Sequence, residues 1–252
     1  MPVLPGAEPY SHQGGPTGVL LCHGFTGTPQ SLRPWAEYLA AAGLTVSLPR
    51  LPGHGLTWQE MARTRWEDWY AEIERAFDDL RSTTDEIFVM GLSMGATLAL
   101  RLAELRDTAV RGLVLVNPSL VSDTKLLLLG PVLKLFVPSV KAIGSDIVME
   151  GVTELAYERT PVRAAAELPK LWKITRRHLD QVTQPVLAYK STVDHVVGPA
   201  SIEILRKALP ASQLDVRQCP DSYHVATLDN DAQAIFAGSL DFVRSRSHAG
   251  KE

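Results

Sequence analysis

Two patterns of apolar residues alternate along this chain. Short apolar runs, such as residues 18–22, have the length of strands that are buried on both faces of a sheet. Between them, stretches such as residues 66–81 place apolar residues three and four positions apart, the spacing of an amphipathic helix. This alternation predicts a mainly parallel, doubly wound α/β sheet. The predicted strands cover residues 18–22, 45–48, 86–90, 112–116, 186–189 and 214–217, and predicted helices include residues 29–42, 66–81 and 232–244.

The alternation is interrupted between about residues 117 and 177, where prolines, glycines and helical fragments replace it. Active sites of such sheets lie beyond the carboxyl ends of the strands, so an insertion after the strand ending near Val116 becomes a lid over the site. We therefore expect one domain over residues 1–252, with a lid insertion at about residues 118–177.

The first part of this insertion is too apolar on all sides for a solvated helix. Its apolar runs are residues 126–129, 132–133 and 135–137. Two interpretations remain open: a helix packed onto the sheet, and the wall of a tunnel for an acyl chain. An apolar rim would also give transient contact with a lipid surface.

The G-L-S-M-G stretch of residues 91–95 lies between a predicted strand and a predicted helix. This is the pattern of a nucleophile elbow, in which a sharp turn projects a serine hydroxyl clear of the sheet. Ser93 is therefore the candidate nucleophile. By chance alone the same pattern also marks simple glycine-rich turns, so the interpretation depends on finding a base, an acid and an oxyanion hole elsewhere in the chain.

His224 and Asp194 are the candidate base and acid, because each follows a predicted strand. The order Ser93, Asp194, His224 is the serine, acid, histidine order of α/β-hydrolases. Asp123, which follows the preceding strand, is an alternative acid. Solvated surface is the expected setting of His12, His178 and His248, and turns or caps are the expected setting of Asp146, Asp221 and Asp229.

An acyl-transfer site also needs two backbone N–H donors for the oxyanion. Met94, directly after the candidate nucleophile, and Phe25, in the loop after the first predicted strand, are the expected donors. We expect His23 to hold this loop in place and assign no chemistry to His54.

The composition of the chain limits the classes of partner that we expect it to bind. A formal net charge of −3 provides no basic field for nucleic acid. The two cysteines lack metal-ligand spacing and fit a reducing compartment, and no apolar run reaches the length of a membrane span. We expect a cytoplasmic enzyme that needs no metal or organic cofactor and is a monomer or a homodimer.

From about Thr17 to Arg244 the sequence resembles the bacterial monoacylglycerol lipases and small Bacillus-type carboxylesterases of the α/β-hydrolase superfamily. The resemblance implies the α/β-hydrolase fold, the triad and oxyanion donors named above, and a lid glutamate that contacts the glycerol moiety. The matching stretches are residues 23–29 (HGFTGTP), 48–55 (LPRLPGHG), 91–95 (GLSMG), 154–158 (ELAYE), 194–197 (DHVV) and 222–229 (SYHVATLD).

By its local motif the lid glutamate is Glu154, and we expect it to contact the substrate together with Ile143. The implied function is hydrolysis of monoacylglycerols, a small lipophilic ester class. A general carboxylesterase acting on short- to medium-chain esters is the nearest rival. A catalytically silent hydrolase fold that binds small molecules is a rival from another class, and the complete set of nucleophile, acid, base and donor loops argues against it.

Overall fold

The computed structural model describes residues 2–122, 137–142 and 144–247. Within these residues a seven-stranded sheet has the order β1-β3-β2-β4-β5-β8-β9. All its neighbouring strands are parallel except β1, which pairs antiparallel with β3. A separate hairpin, β6-β7, lies in the insertion. The strands are β1 (Tyr10–His12), β2 (Thr17–Cys22), β3 (Thr45–Leu48), β4 (Glu86–Leu92), β5 (Gly112–Val116), β6 (Ser139–Lys141), β7 (Arg159–Pro161), β8 (Val186–Ser191) and β9 (Leu214–Cys219).

Helices cover both faces of the sheet and leave two apolar cores, one on each side. Strands β2, β5 and β8 are buried along their whole length, as expected for parallel strands that are covered on both faces. The described helices are α1 (Arg33–Ala41), α2 (Trp58–Met61), α3 (Trp66–Arg81), α4 (Met94–Arg106), α5 (Val162–Ala165), α6 (Leu168–Arg177), α7 (Ala200–Ala208) and α8 (Ala232–Arg246), with 3₁₀ turns at Pro29–Leu32, Asp107–Ala109, Leu179–Gln181 and Ala226–Leu228.

The register of the strands places candidate site residues at one edge of the sheet. Leu92 of β4 lies beside Val116 of β5, and Val116 lies beside Tyr189 of β8. Ser93, which follows β4, and Asn117, which follows β5, therefore leave the sheet at the same edge. This is the carboxyl edge at which ligands of open α/β sheets bind.

The mainly parallel, doubly wound sheet predicted from the sequence is confirmed. The helix predicted at residues 66–81 forms as expected, whereas the one predicted at 29–42 begins as a 3₁₀ turn before α1. Strands β1, β6 and β7 were not predicted, because each has three residues and too few positions to show a period. Strand β8, predicted at residues 186–189, continues through Ser191.

The described part of the insertion consists of the β6-β7 hairpin, α5, α6 and connecting segments. Asp123, the apolar positions 126–129, 132–133 and 135–136, and the expected substrate contact Ile143 lie outside the described residues. Among the residues that are described, no helix is both long and apolar enough to cross a membrane. One domain with a lid at about residues 118–177 remains a prediction.

Candidate active site

Ser93 occupies a strained turn between β4 and α4. Its φ of 57° and ψ of −116° lie in a region that residues with a side chain rarely adopt. Its N–H donates to the carbonyl oxygen of Val116 at 2.9 Å, which ties the turn to the end of β5. The side chain lines a cavity at the carboxyl edge of the sheet.

Two glycines make this turn sterically feasible. A Cβ on Gly95 would overlap with the carbonyl oxygen of Cys22, and a Cβ on Gly91 would overlap with the carbonyl group of Gly95. The first turn of α4 therefore lies directly against β2 and β4. This close packing explains why small residues stand on both sides of Ser93.

His224 and Asp194 form a hydrogen-bonded pair in the loops after β9 and β8. The distance between His224 Nδ1 and Asp194 Oδ2 is 3.0 Å, and both side chains are buried. A carboxylate can only accept here, so Nδ1 carries the proton and Nε2 is left to act as a base. His224 lines the same cavity as Ser93.

The other contacts of Asp194 hold it as a carboxylate. Its Oδ1 accepts hydrogen bonds from the N–H groups of Val196 and Val197, at 2.9 and 2.8 Å. Burial opposes ionisation, but the hydrogen bond and charge of His224, the Lys190 ammonium and the Val197 N–H outweigh it and hold the pKa of Asp194 well below its usual range. The Lys190 Nζ lies 2.6 Å from Asp194 Oδ2.

Asn117 fixes the backbone next to the histidine. Its Nδ2 donates to the carbonyl oxygen of His224 at 2.8 Å, and its Oδ1 accepts from the N–H of Ser191 at 2.9 Å. One side chain thus joins the ends of β5 and β8 to the loop that carries His224.

Two aspartates connect the insertion to the same loop. Asp146 Oδ2 accepts from the N–H of His224 at 3.1 Å, while its Oδ1 lies 2.7 Å from His195 Nδ1. Asp229 accepts from the N–H groups of Val148 and Met149 in the insertion, and also from that of Tyr223. Both were expected to be turn or cap residues, and both do accept backbone N–H bonds, but the segments that they join are far apart in the sequence.

Phe25 and Met94, the expected oxyanion donors, both line the cavity. Among the described residues, neither of their backbone N–H groups has a hydrogen-bond acceptor. A backbone N–H that lines a cavity without a protein acceptor is free to bind a ligand oxygen, and a developing oxyanion is such an acceptor.

His23 holds the Phe25 loop through both of its ring nitrogens. Nδ1 lies 3.0 Å from the carbonyl oxygen of Gly24, and Nε2 accepts from the N–H of Leu51 at 3.1 Å. Burial, partly offset by the Gly24 bond, lowers the pKa of His23 to about 4, and burial also lowers that of His54 well below its usual range. These neutral rings pack edge to face, 5.0 Å apart.

The cavity has a volume of about 590 Å³, within the usual range for a small-molecule site. The described part of the insertion supplies much of its apolar wall, through Val140, Ala142, Val162, Ala165, Leu168 and Trp172. Within the described residues, no group of three or more His, Cys, Asp or Glu side chains is arranged to hold a metal ion.

Glu154 adds an acidic group to this cavity and lies close to the turn after Phe25. Its Oε1 fills the space in which a Cβ of Gly27 would stand. Burial raises the pKa of Glu154 to about 7, although the charge of His224 and a hydrogen bond from Ser31 oppose the shift. A carboxyl group in this state can accept or donate a hydrogen bond near neutral pH.

Sequence reasoning missed Lys190, Asn117 and the bridging role of Asp146. Lys190 and Asn117 each lie at the carboxyl end of a buried strand, which is the same signal that identified Asp194. No sequence signal pairs Asp146 with the N–H of His224, because that contact depends on how the insertion folds back.

Comparisons with known proteins match this chain to one hydrolase family and to two bacterial ester hydrolases. Residues 17–231 match the model of the family described as serine aminopeptidase, S33. A thermostable monoacylglycerol lipase from Bacillus sp. (strain H-257) is 43% identical over 99% of this chain and 98% of its own length. A carboxylesterase from Bacillus subtilis (strain 168) is 27% identical over 94% of this chain and 96% of its own.

Among solved structures, that reported for LipS and LipT, two metagenome-derived lipolytic enzymes, superposes with a TM-score of 0.91 at 41% identity. The match covers 97% of this chain and all of the other. The likeness extends over nearly the whole chain and confirms the α/β-hydrolase fold that the sequence predicts.

Proposed function

Because this chain belongs to the serine aminopeptidase S33 family and to its group of bacterial monoacylglycerol lipases and carboxylesterases, we propose that it is a serine ester hydrolase. Its proposed catalytic triad is Ser93, His224 and Asp194. The observation that carries this proposal is that Ser93 and the hydrogen-bonded His224 line one cavity with two backbone N–H groups that have no acceptor in the part of the chain that the structure describes.

In the proposed reaction, Ser93 Oγ attacks the ester carbonyl carbon while His224 Nε2 takes the hydroxyl proton. Asp194 stabilises the resulting imidazolium, and the N–H groups of Phe25 and Met94 bind the oxyanion. The imidazolium then protonates the leaving alcohol, which departs. A water molecule repeats the sequence on the acyl-enzyme and releases the carboxylic acid.

The proposed substrates are monoacylglycerols, which are cleaved to fatty acid and glycerol. Val162, Ala165, Leu168 and Trp172 supply apolar surface for the acyl chain. The carboxyl group of Glu154 supplies a hydrogen-bonding partner for the glycerol hydroxyls. The 43% identity to a monoacylglycerol lipase over nearly the whole chain supports this choice.

The second candidate is a general carboxylesterase for short- to medium-chain esters. Its support is the Bacillus subtilis carboxylesterase, which aligns over most of both chains at lower identity. The two candidates share the triad and differ in whether Glu154 contributes to substrate recognition.

The proposal also includes contact with lipid surfaces and a location in the cytoplasm. Val140, Val148 and Met149, exposed apolar residues of the insertion, support transient contact with a lipid surface. The buried free thiols of Cys22 and Cys219 fit a cytoplasmic enzyme.

One pair of substrates tests this function. We expect the wild type to hydrolyse monolauroylglycerol and a short-chain methyl ester, and Ser93→Ala to lose both activities together with fluorophosphonate labelling. Glu154→Gln should weaken hydrolysis of monolauroylglycerol more than that of the methyl ester. Equal losses on both substrates would favour the general carboxylesterase, and activity that survives in Ser93→Ala would refute the proposed nucleophile.

A further inference from the structure

Lys190 places a buried cation directly behind the proposed acid. Its side chain lies on β8, where its Nζ donates to Asp194 Oδ2 at 2.6 Å and to the carbonyl oxygen of Val197 at 2.9 Å. A third acceptor, Asn117 Oδ1, lies 3.4 Å away. An ammonium group with three protein acceptors is held in one place, so its effect on the site is fixed rather than averaged over rotamers.

The oxygen that Lys190 contacts is the one that His224 contacts. Asp194 Oδ2 receives both the ammonium and the imidazole Nδ1–H, while Asp194 Oδ1 is occupied by two backbone N–H groups. The negative charge that would stabilise an imidazolium is therefore shared with a permanent cation. Since Nζ and Nδ1 meet at one buried oxygen, they are also close to one another, and like charges in such a setting repel strongly.

We propose that Lys190 is a positioning residue that fixes the Asp194 carboxylate in the orientation in which it accepts from His224 Nδ1, and whose charge opposes the arrival of a second cation on the imidazole. The proposal rests on the proposed function, because it acts through the triad. Its physical basis is that protonating His224 adds a second cation beside Lys190, which removes part of the benefit of the carboxylate.

Other charged and titratable groups around the triad also act on the protonation of His224. Glu154 faces His224 from the insertion and titrates near neutral pH, so it overlaps with the effect to be measured. Asp146 accepts from the N–H of His224 and contacts His195. On the far side of Lys190, Cys219 lies on β9, and Glu203 and Arg206 of α7 line a small cavity beside it. A substitution at Lys190 alone leaves all of these groups in place.

The test compares neutral and charged replacements of Lys190. The rate of fluorophosphonate labelling and kcat/KM for a p-nitrophenyl ester would be followed from pH 4 to pH 9, in the wild type and in a Glu154→Gln background. Lys190→Met and Lys190→Gln should move the acid limb of both profiles upward by about one pH unit, as loss of a neighbouring buried charge predicts. Lys190→Arg should keep the limb near its wild-type position, and so should the control Lys207→Met, which changes an exposed lysine of α7.

Several results would overturn the inference. The first is a folded neutral variant whose acid limb lies at the wild-type pH. The second is an acid limb of Lys190→Arg that moves as far as the limbs of the neutral variants. The third is failure of both neutral variants to fold, which would make Lys190 a structural residue only. Labelling of wild-type Ser93, absent from Ser93→Ala, shows separately whether the proposed function holds. The two proposals can therefore fail independently.

Discussion

Ser93 is held in a backbone conformation that costs about 1–3 kcal/mol for a residue with a side chain. The surrounding contacts impose it, because its N–H is bound to Val116 and the neighbouring glycines pack against β2 and β4. The pattern of residues 91–95 predicts this turn, since only residues without a Cβ fit around it. Lys190 could not be assigned a role in the same way, because a lysine at a strand end usually lies in solvent and only the fold shows that this one is buried.

The role of Asp194 is testable at this scale. Asp194→Asn should lower kcat by about 10⁴, the factor known for the analogous change in a serine protease, because the amide no longer stabilises the imidazolium. Its NH₂ group would also compete with the Lys190 ammonium for acceptors. Steady-state kinetics with a p-nitrophenyl ester measures the loss, and Asp221→Asn, at an exposed aspartate, serves as the control. A near-normal rate in Asp194→Asn would shift the acid role to Asp123.

At the scale of elements, the long strands of the sheet could be predicted, whereas the short elements within the insertion could not. Parallel strands buried on both faces require continuous apolar runs, and β2, β4, β5 and β8 each contain one. Strand β9, at the edge of the sheet, alternates apolar and polar residues instead. The insertion contains three-residue strands and the four-residue helix α5, which are too short for a period to appear. Their positions depend on contacts with distant residues, such as the hydrogen bonds of Tyr157 to the carbonyl group of Gly53 and the N–H of Leu56.

Helix α5 gives a test of the proposed acyl pocket. Ala165→Phe should fill part of the cavity and lower kcat/KM for a twelve-carbon ester by about 50-fold relative to a four-carbon ester, if three methylenes of about 0.8 kcal/mol each are excluded. A series of p-nitrophenyl esters of increasing chain length measures this change. Arg163→Phe adds the same side chain at an exposed position of α5 and should leave the preference unchanged. An unaltered preference in Ala165→Phe would place the acyl chain elsewhere.

At the scale of the whole molecule, a buried carboxyl group outside the active site affects the pH dependence of stability. Glu104 of α4 is buried beside Arg101, with 2.8 Å between Oε2 and the guanidinium Nη1. Within the described residues its Oε1 has no hydrogen-bond partner. Burial raises the pKa of Glu104 to about 7, although the hydrogen bond and charge of Arg101 oppose the shift.

Because the pKa of Glu104 is higher in the folded protein than in the unfolded chain, the folded protein keeps a proton between about pH 4.5 and pH 7 that the unfolded chain has already released. The resulting stability is fully present below about pH 4.5 and is lost as the pH rises through about 7. Glu104→Gln should therefore raise the melting temperature at pH 8, by about 2–4 °C for each kcal/mol recovered, and change it little at pH 5. Thermal unfolding followed by circular dichroism measures this, with Glu203→Gln, at a half-exposed glutamate, as the control. A shift of equal size at both pH values would rule out titration of Glu104 as the cause.

The bonds of Asp146 and Asp229 affect how freely lids could be exchanged between related enzymes. These carboxylates join residues 146–149 of the insertion to the backbone around His224, so the same hydrogen bonds hold both segments in place. A foreign segment grafted in place of this insertion would have to bring an equivalent of Asp146, and backbone N–H groups in register with Asp229, or the loop that carries His224 would lose part of its anchoring. Exchanging the whole insertion would therefore disturb the backbone around His224, whereas changing single side chains on its cavity wall would leave these hydrogen bonds in place.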